Sequence, residues 1–332
     1  MSLAVCALVY SLAVLTIGPP LLARATRGGA APRLGITAWA AAVASVIGSW
    51  VLAAALLGGE LLRAWGHVDT ALAGCFALLR TVTGSAQQGA VQAVLAGVIA
   101  AAATGIAAVG VRVAVALRRA KRDTRRHHEA ALLAAGAAPR GPQGALVVEA
   151  AHRSVYCLPG RPRTIVITRG ALAALDEAQL AAVLAHERAH LTGRHHVLLA
   201  VTGALARILP GARLFTDGAA AIARLTEMSA DDAAVRGHGG DTVVEALLAL
   251  TTPVRSATGM SSAFAAPAVM PAAALGAAGP GVADRVERLL FPPGPAQLRR
   301  ACGVAAGALL LGPAATALVM LTAFPLCMTA FT

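Results

Sequence analysis

The chain is 332 residues long, 57% hydrophobic, 13% charged and 3% aromatic, too apolar for an ordinary soluble protein and suited to several membrane spans. Its net charge of +12 does not imply direct nucleic-acid binding, because the densest basic block, residues 118–126, adjoins an apolar run where such residues set topology and meet anionic lipid. Five scattered cysteines, Cys6, Cys75, Cys157, Cys302 and Cys327, form no C-x-x-C pair, which argues against a thiolate metal site or a disulfide framework.

Four runs without Asp, Glu, Lys or Arg have membrane-spanning length: residues 3–22, 34–57, 89–111 and 301–330. The first lacks a basic residue ahead of it and has Arg24, Arg27 and Arg33 behind it, the reverse of a signal peptide. It is expected to be retained, with the N-terminus outside, and Pro19-Pro20 is expected to end or kink it. The second connection mixes Glu60, Arg63, Asp69 and Arg80, whereas the third run exits into Arg118, Arg119, Lys121, Arg122, Arg125 and Arg126. The first and third flanks are therefore cytoplasmic, and Arg299-Arg300 puts the start of the fourth helix on the same side and the C-terminus outside. The expected organisation is three helices in residues 1–117, a cytosolic domain over 118–300 and a fourth helix in 301–332.

Within the cytosolic domain, residues 129–138 predict a short helix and 139–144 a loop. Residues 145–149 and 164–168 predict two strands of a hairpin, separated by Tyr156-Cys-Leu-Pro-Gly160, whose Pro-Gly marks a turn. Such a hairpin could offer an open edge to an extended substrate, or serve only as a supporting sheet. Cys157 reads as a small packed side chain. A helix follows, with Asp176 at its N-cap, Gln179 at the capping-box position and Gly193 as its stop.

That helix carries His186-Glu187-Arg188-Ala189-His190. Residues four apart share a helix face, so both imidazoles can reach one Zn²⁺ while Glu187, on the adjoining flank, can take a proton from the attacking water. A zinc peptidase needs a third protein ligand. Glu227 is the favoured candidate, on a second helix expected over 217–236 with Asp217 as N-cap and Gly237 as stop. Asp231, one turn beyond it, could accept the spare N–H of a zinc-bound imidazole. His195 and His196 are the rival ligands. Residues 251–281, rich in Ala, Pro, Gly and Ser with Arg255 as the lone charge before Ala283, predict a mobile tether, a lid or a point of self-cleavage.

The series Ile165-Val-Ile-Thr-Arg-Gly170, His186-Glu187-x-x-His190 and Glu227-x-x-Ala230-Asp231 resembles the membrane gluzincin peptidases. It looks most like the BlaR/MecR-type antirepressor peptidases, with HtpX-type and CAAX-processing enzymes as more distant relatives. The resemblance extends over nearly the whole chain and implies an integral membrane, mostly α-helical protein with four transmembrane helices and a cytosolic α+β zincin domain. It implies one Zn²⁺ per chain on His186, His190 and Glu227, Glu187 as general base, and Arg285 or its neighbour Arg288 as oxyanion donor. A basic helix at the membrane surface is the plainer reading of those two arginines. Two departures stand out: the best-known BlaR/MecR members also carry an extracellular penicillin-binding sensor domain, and many relatives carry an Asp where this chain has His195. The implied activity is cleavage of a protein or peptide, such as a winged-helix repressor, by a membrane-embedded endopeptidase. An HtpX-type quality-control protease and a zinc-stabilised membrane scaffold are the alternatives.

Overall fold

The computed structural model describes residues 3–64, 85–135, 141–160, 162–251, 275–276, 281–303 and 306–307. The chain begins with α1 (Leu3–Thr26), α2 (Pro32–Ala64) and α3 (Ser85–Ala135). Among the described residues, three helical stretches are long and apolar enough to cross a membrane: Leu3–Thr26, Pro32–Gly58 and Ala100–Leu133. The fourth expected span lies outside the described residues from position 308 onward.

Two expectations for these helices change. α1 does not end at Pro19-Pro20 but runs on to Thr26, packed along α2, which supplies neighbours where the prolines remove backbone bonds. The short helix expected over 129–138 is instead the end of α3, as far as Ala135. No Gly or Pro interrupts residues 111–135, and Arg, Lys and Ala are strong helix formers, so this 51-residue helix extends for about 75 Å. Its basic block thus projects from the apolar segment into the domain.

The hairpin of α1 and α2 rests on the domain. Trp39, wholly buried, packs with Leu22, Phe215, Ile222, Leu225 and Met228. A Cβ at Gly218 would stand 3.0 Å from the Trp39 ring, so the missing side chain permits that close approach. The indole N–H donates to Thr26 Oγ1 at 3.2 Å, which satisfies the ring's polar end inside the apolar cluster.

Among the described residues, four short strands, β1 (Leu146–Val148), β2 (Val155–Leu158), β3 (Thr164–Thr168) and β4 (Leu275–Gly276), form one sheet in the order β1-β3-β2-β4. The expected hairpin of 145–149 with 164–168 does not occur. β1 lies parallel to β3, and the antiparallel partner of β3 is β2, in the stretch read from sequence as the connection between two strands. The reason is compositional: Val155-Tyr156-Cys157 favour a pleated, half-buried surface, so the turn falls after Leu158. β4, from within the expected tether, pairs antiparallel to β2 at Tyr156 and Cys157, so that part of the outer edge is covered rather than open. The remainder of the tether, residues 252–274 and 277–280, lies outside the described residues.

The helices α4 (Arg169–Ala174), α5 (Glu177–Thr192), α6 (His195–Ile208), α7 (Arg213–His238), α8 (Gly240–Thr251) and α9 (Val282–Leu290) complete the domain. α5 lays Val183 and Leu184 against Ile167 of β3 and against Ala246 and Leu250 of α8. α7 is longer than expected. It starts at Arg213 after Ala212 rather than at Asp217, whose carboxylate instead pairs with Arg213 at 3.2 Å. It stops at Gly239, not Gly237, because Gly239 takes the left-handed φ of 83° that glycine tolerates without strain.

Candidate active site

The motif helix α5 is anchored at its start. Asp176 Oδ1 accepts the Gln179 N–H at 2.8 Å, and Gln179 Oε1 accepts the Asp176 N–H at 3.2 Å, a reciprocal cap that satisfies two orphan donors. Its C-cap Gly193 keeps a right-handed φ of −72°, and the left-handed residue is Arg194 at φ 50°, one position later than the expected stop. Along this helix His186, Glu187 and His190 are all buried.

The two imidazoles meet a carboxylate from α7. His186 Nε2 and His190 Nε2 are 3.0 Å apart, and Glu227 places Oε2 3.5 Å from the first and Oε1 3.4 Å from the second. Zn–N and Zn–O bonds of roughly 2.0–2.1 Å in a tetrahedron imply ligand-to-ligand edges of about 3.3 Å; the imidazole pair and the distance from each imidazole to a different Glu227 oxygen are of that order, and one ligand atom from each of the three residues lies within 4.8 Å of the others. Glu227 Oε2 is buried without a hydrogen bond and has Arg285 Nη1 at 3.2 Å, so it keeps a lone pair that a metal cation can take. The donor set of two imidazoles and one carboxylate therefore fits a zinc ion with a position left over.

A second layer of charge holds these groups. Asp231 Oδ1 lies 3.0 Å from His186 Nδ1. Arg285 of α9 is buried, donates to Asp231 through Nε at 2.7 Å and Nη2 at 2.6 Å, and brings Nη1 within 3.2 Å of Glu227 Oε2. Its guanidinium thus clamps the carboxylates around the imidazoles. Arg288, one turn on, joins Asp232 at 2.7 Å and the Gly29 carbonyl at 2.9 Å.

Residues 118–221 match the family model of peptidase family M48. This match supports a metallopeptidase domain. It covers the sheet strands β1 to β3 and the whole of α5, and stops inside α7 before Glu227, Asp231 and Arg285. No curated protein and no solved structure matches the chain.

The electrostatics separate the two imidazoles. Burial alone would lower the His186 pKa, but hydrogen bonds to Asp231 and Glu227 outweigh it and push it up to about 9. His190 goes the other way, to about 2, through burial and the charges of His186 and His195. Burial would raise Asp231, yet the hydrogen bonds from Arg285 and His186 hold it well below the usual carboxylate range. Cys157 on β2 is buried beside Glu187, and burial followed by that negative charge pushes its thiol pKa far up. It stays a neutral packed side chain, with no thiolate character for nucleophilic attack.

The rival ligands are placed elsewhere. His195 opens α6 and turns its Nδ1 to within 2.9 Å of His190 Nδ1, on the side of that ring away from Glu227. His196 is half-buried and outside the cluster of ligand atoms. Sequence reasoning treated His195 only as a competing ligand. The signal for its actual position is the Gly193-Arg194 turn, which folds the next residue back onto the helix it follows.

Proposed function

We propose that this protein is a membrane-embedded zinc endopeptidase whose active site faces the cytosol and which cleaves a regulatory protein, such as a winged-helix repressor, in signal transduction. The observation that carries the reading is the convergence of His186 Nε2, His190 Nε2 and the Glu227 carboxylate beside the buried Glu187. When bound there, zinc supplies Lewis acidity that acidifies water and polarises a peptide carbonyl. Glu187 takes the proton of the attacking water and returns it to the leaving amine. Asp231 and Arg285 orient His186 and Glu227, and Arg285 is the nearest candidate to share charge with a developing oxyanion.

Signal transduction is supported by the way the α1–α2 turn is fastened to the site. Arg224 donates to the carbonyls of Thr26 and Arg27, both at 2.8 Å, one turn ahead of Glu227 on α7. Arg288 donates to the carbonyl of Gly29 one turn after Arg285 on α9. A displacement of the hairpin therefore acts on α7, which carries Glu227 and Asp231, and on α9, which carries the Arg285 that pairs with them. The M48 match fits a second reading equally, a quality-control peptidase of HtpX type using the same residues.

The test is the Glu187→Gln chain in its native membrane. It is expected to retain zinc and to abolish a set of new protein N-termini seen with the wild type. Unchanged termini would remove the peptidase reading. A single regulatory protein among the substrates favours signalling, and many damaged membrane proteins favour quality control.

A further inference from the structure

The proposed chemistry leaves one buried titratable side chain at the site without a task, His195. Its Nδ1 sits 2.9 Å from His190 Nδ1, and the two rings meet edge to face at 86° with centroids 4.9 Å apart. The backbone is shaped for this contact. Arg194 adopts a left-handed φ of 50°, uncommon outside glycine, and so reverses the chain between α5 and α6. A Cβ at Gly193 would stand 2.5 Å from His195 Nε2 and 2.7 Å from Cδ2, so the ring lies in space that any other residue at 193 would occupy.

Two ring nitrogens at this distance share one proton: one donates and the other accepts. His190 turns Nε2 toward His186 and Glu227, so that nitrogen must keep its lone pair to serve an ion. The His190 proton then sits on Nδ1 and is donated to His195 Nδ1, which leaves His195 protonated on Nε2. Asp231 meets Nδ1 of His186 in the same manner, at 3.0 Å. Each candidate ligand ring thus has its own acceptor, a carboxylate for one and a neutral imidazole for the other.

We infer that His195 is a positioning residue for the metal centre: it holds His190 in the tautomer and orientation that present Nε2 to the ion. The inference rests on the zinc reading above. Acceptors of this kind set ring orientation and ligand basicity, and their loss costs about 10–100-fold in metal affinity. A histidine, unlike a carboxylate, brings no negative charge, so the acceptor beside His190 leaves the net charge of the centre unchanged.

The experiment measures zinc affinity of the purified full-length chain in detergent by competition with a chelating dye, and records the absorption spectrum of the cobalt-substituted protein. His195→Phe keeps a ring of similar size and cannot accept, and His195→Leu is a second variant without an acceptor should the first not fold. His195→Asn carries an oxygen at the same number of bonds from Cβ as His Nδ1. The expected result is a 10–100-fold weaker affinity and an altered cobalt spectrum for Phe and Leu, with Asn within about threefold of the wild type. Wild-type affinity in the acceptor-free variants, or an Asn variant as weak as they are, overturns the positioning role while the zinc reading stands. A wild-type chain that takes up no zinc overturns both.

Discussion

Arg285 and Asp231 face each other as a buried two-bond pair, Nε to Oδ2 at 2.7 Å and Nη2 to Oδ1 at 2.6 Å, and the same Oδ1 stands 3.0 Å from His186 Nδ1. One carboxylate oxygen therefore links the arginine of α9 to a candidate ligand on α5. Removing the arginine strands a buried charge, a change that typically costs about 3–5 kcal/mol. Arg285→Met is expected to lower thermal stability strongly, and Arg285→Met with Asp231→Asn to recover part of the loss, because the second change removes the stranded charge. Unfolding curves of the metal-free variants check this. A single Arg285 variant as stable as the wild type would contradict the clamp.

The His186 shift gives a pH dependence for zinc uptake. With its pKa raised to about 9, His186 holds a proton at pH 7.5 that an ion must displace. Uptake at that pH is expected to release about one proton, and apparent affinity to rise about tenfold per pH unit up to about 9 and then to level off. In the metal-free protein the same raised pKa contributes stability that is complete below the unfolded value of about 6.5 and is lost as pH rises through about 9. Calorimetric titration in buffers of different ionisation enthalpy reads the proton count. An affinity flat between pH 6.5 and 9 would count against the protonated centre.

Gly170 sits where the loop after β1 crosses the start of α4. A Cβ there would lie 2.0 Å from the Ala151 carbonyl oxygen and 2.8 Å from that of His152, both backbone atoms that cannot swing aside. Gly170→Ala is expected to destabilise the domain by about 1–3 kcal/mol through overpacking, whereas Gly237→Ala, with open space around it, is expected to lose nothing. Chemical denaturation of the two variants compares them directly, and equal midpoints would refute the close approach.

Arg224 holds the turn between α1 and α2 by two backbone carbonyls. Arg224→Met keeps much of the side-chain bulk and removes both donors, so the turn is expected to open more often and trypsin to cut after Arg27 several times faster. Hydrogen bonds to charged groups contribute about 1.5–3 kcal/mol each. Unchanged digestion at Arg27 would show that the turn is held by packing alone.

What could be read from the chain is what depends on neighbours along it. The spacing of His186, Glu187 and His190, the reciprocal cap of Asp176 with Gln179 and the charge-free apolar runs all follow from a helical repeat or from local composition. Glu227 and Asp231 were legible as a pair one turn apart on one helix, but not the separations from the imidazoles, 3.4 and 3.5 Å for Glu227 and 3.0 Å for Asp231, which arise where α7 meets α5.

Tertiary structure decided the rest. β2 emerged inside the connection expected between two strands because pairing with β3 and burial of Val155, Cys157 and Leu158 carry the strand as far as Leu158, and the chain turns only at Pro159-Gly160. Arg285 was drawn inward because two buried carboxylates attract it more than the membrane surface does, a balance visible only once α9 lies beside α7. His195 is the clearest case. Its sequence position places it beyond the motif helix, and only the reversal at Arg194 and the bare Cα of Gly193 return its ring to His190. Helical periodicity is a property of the local chain, whereas the partner of a buried polar atom is chosen by whatever packing brings within hydrogen-bond reach.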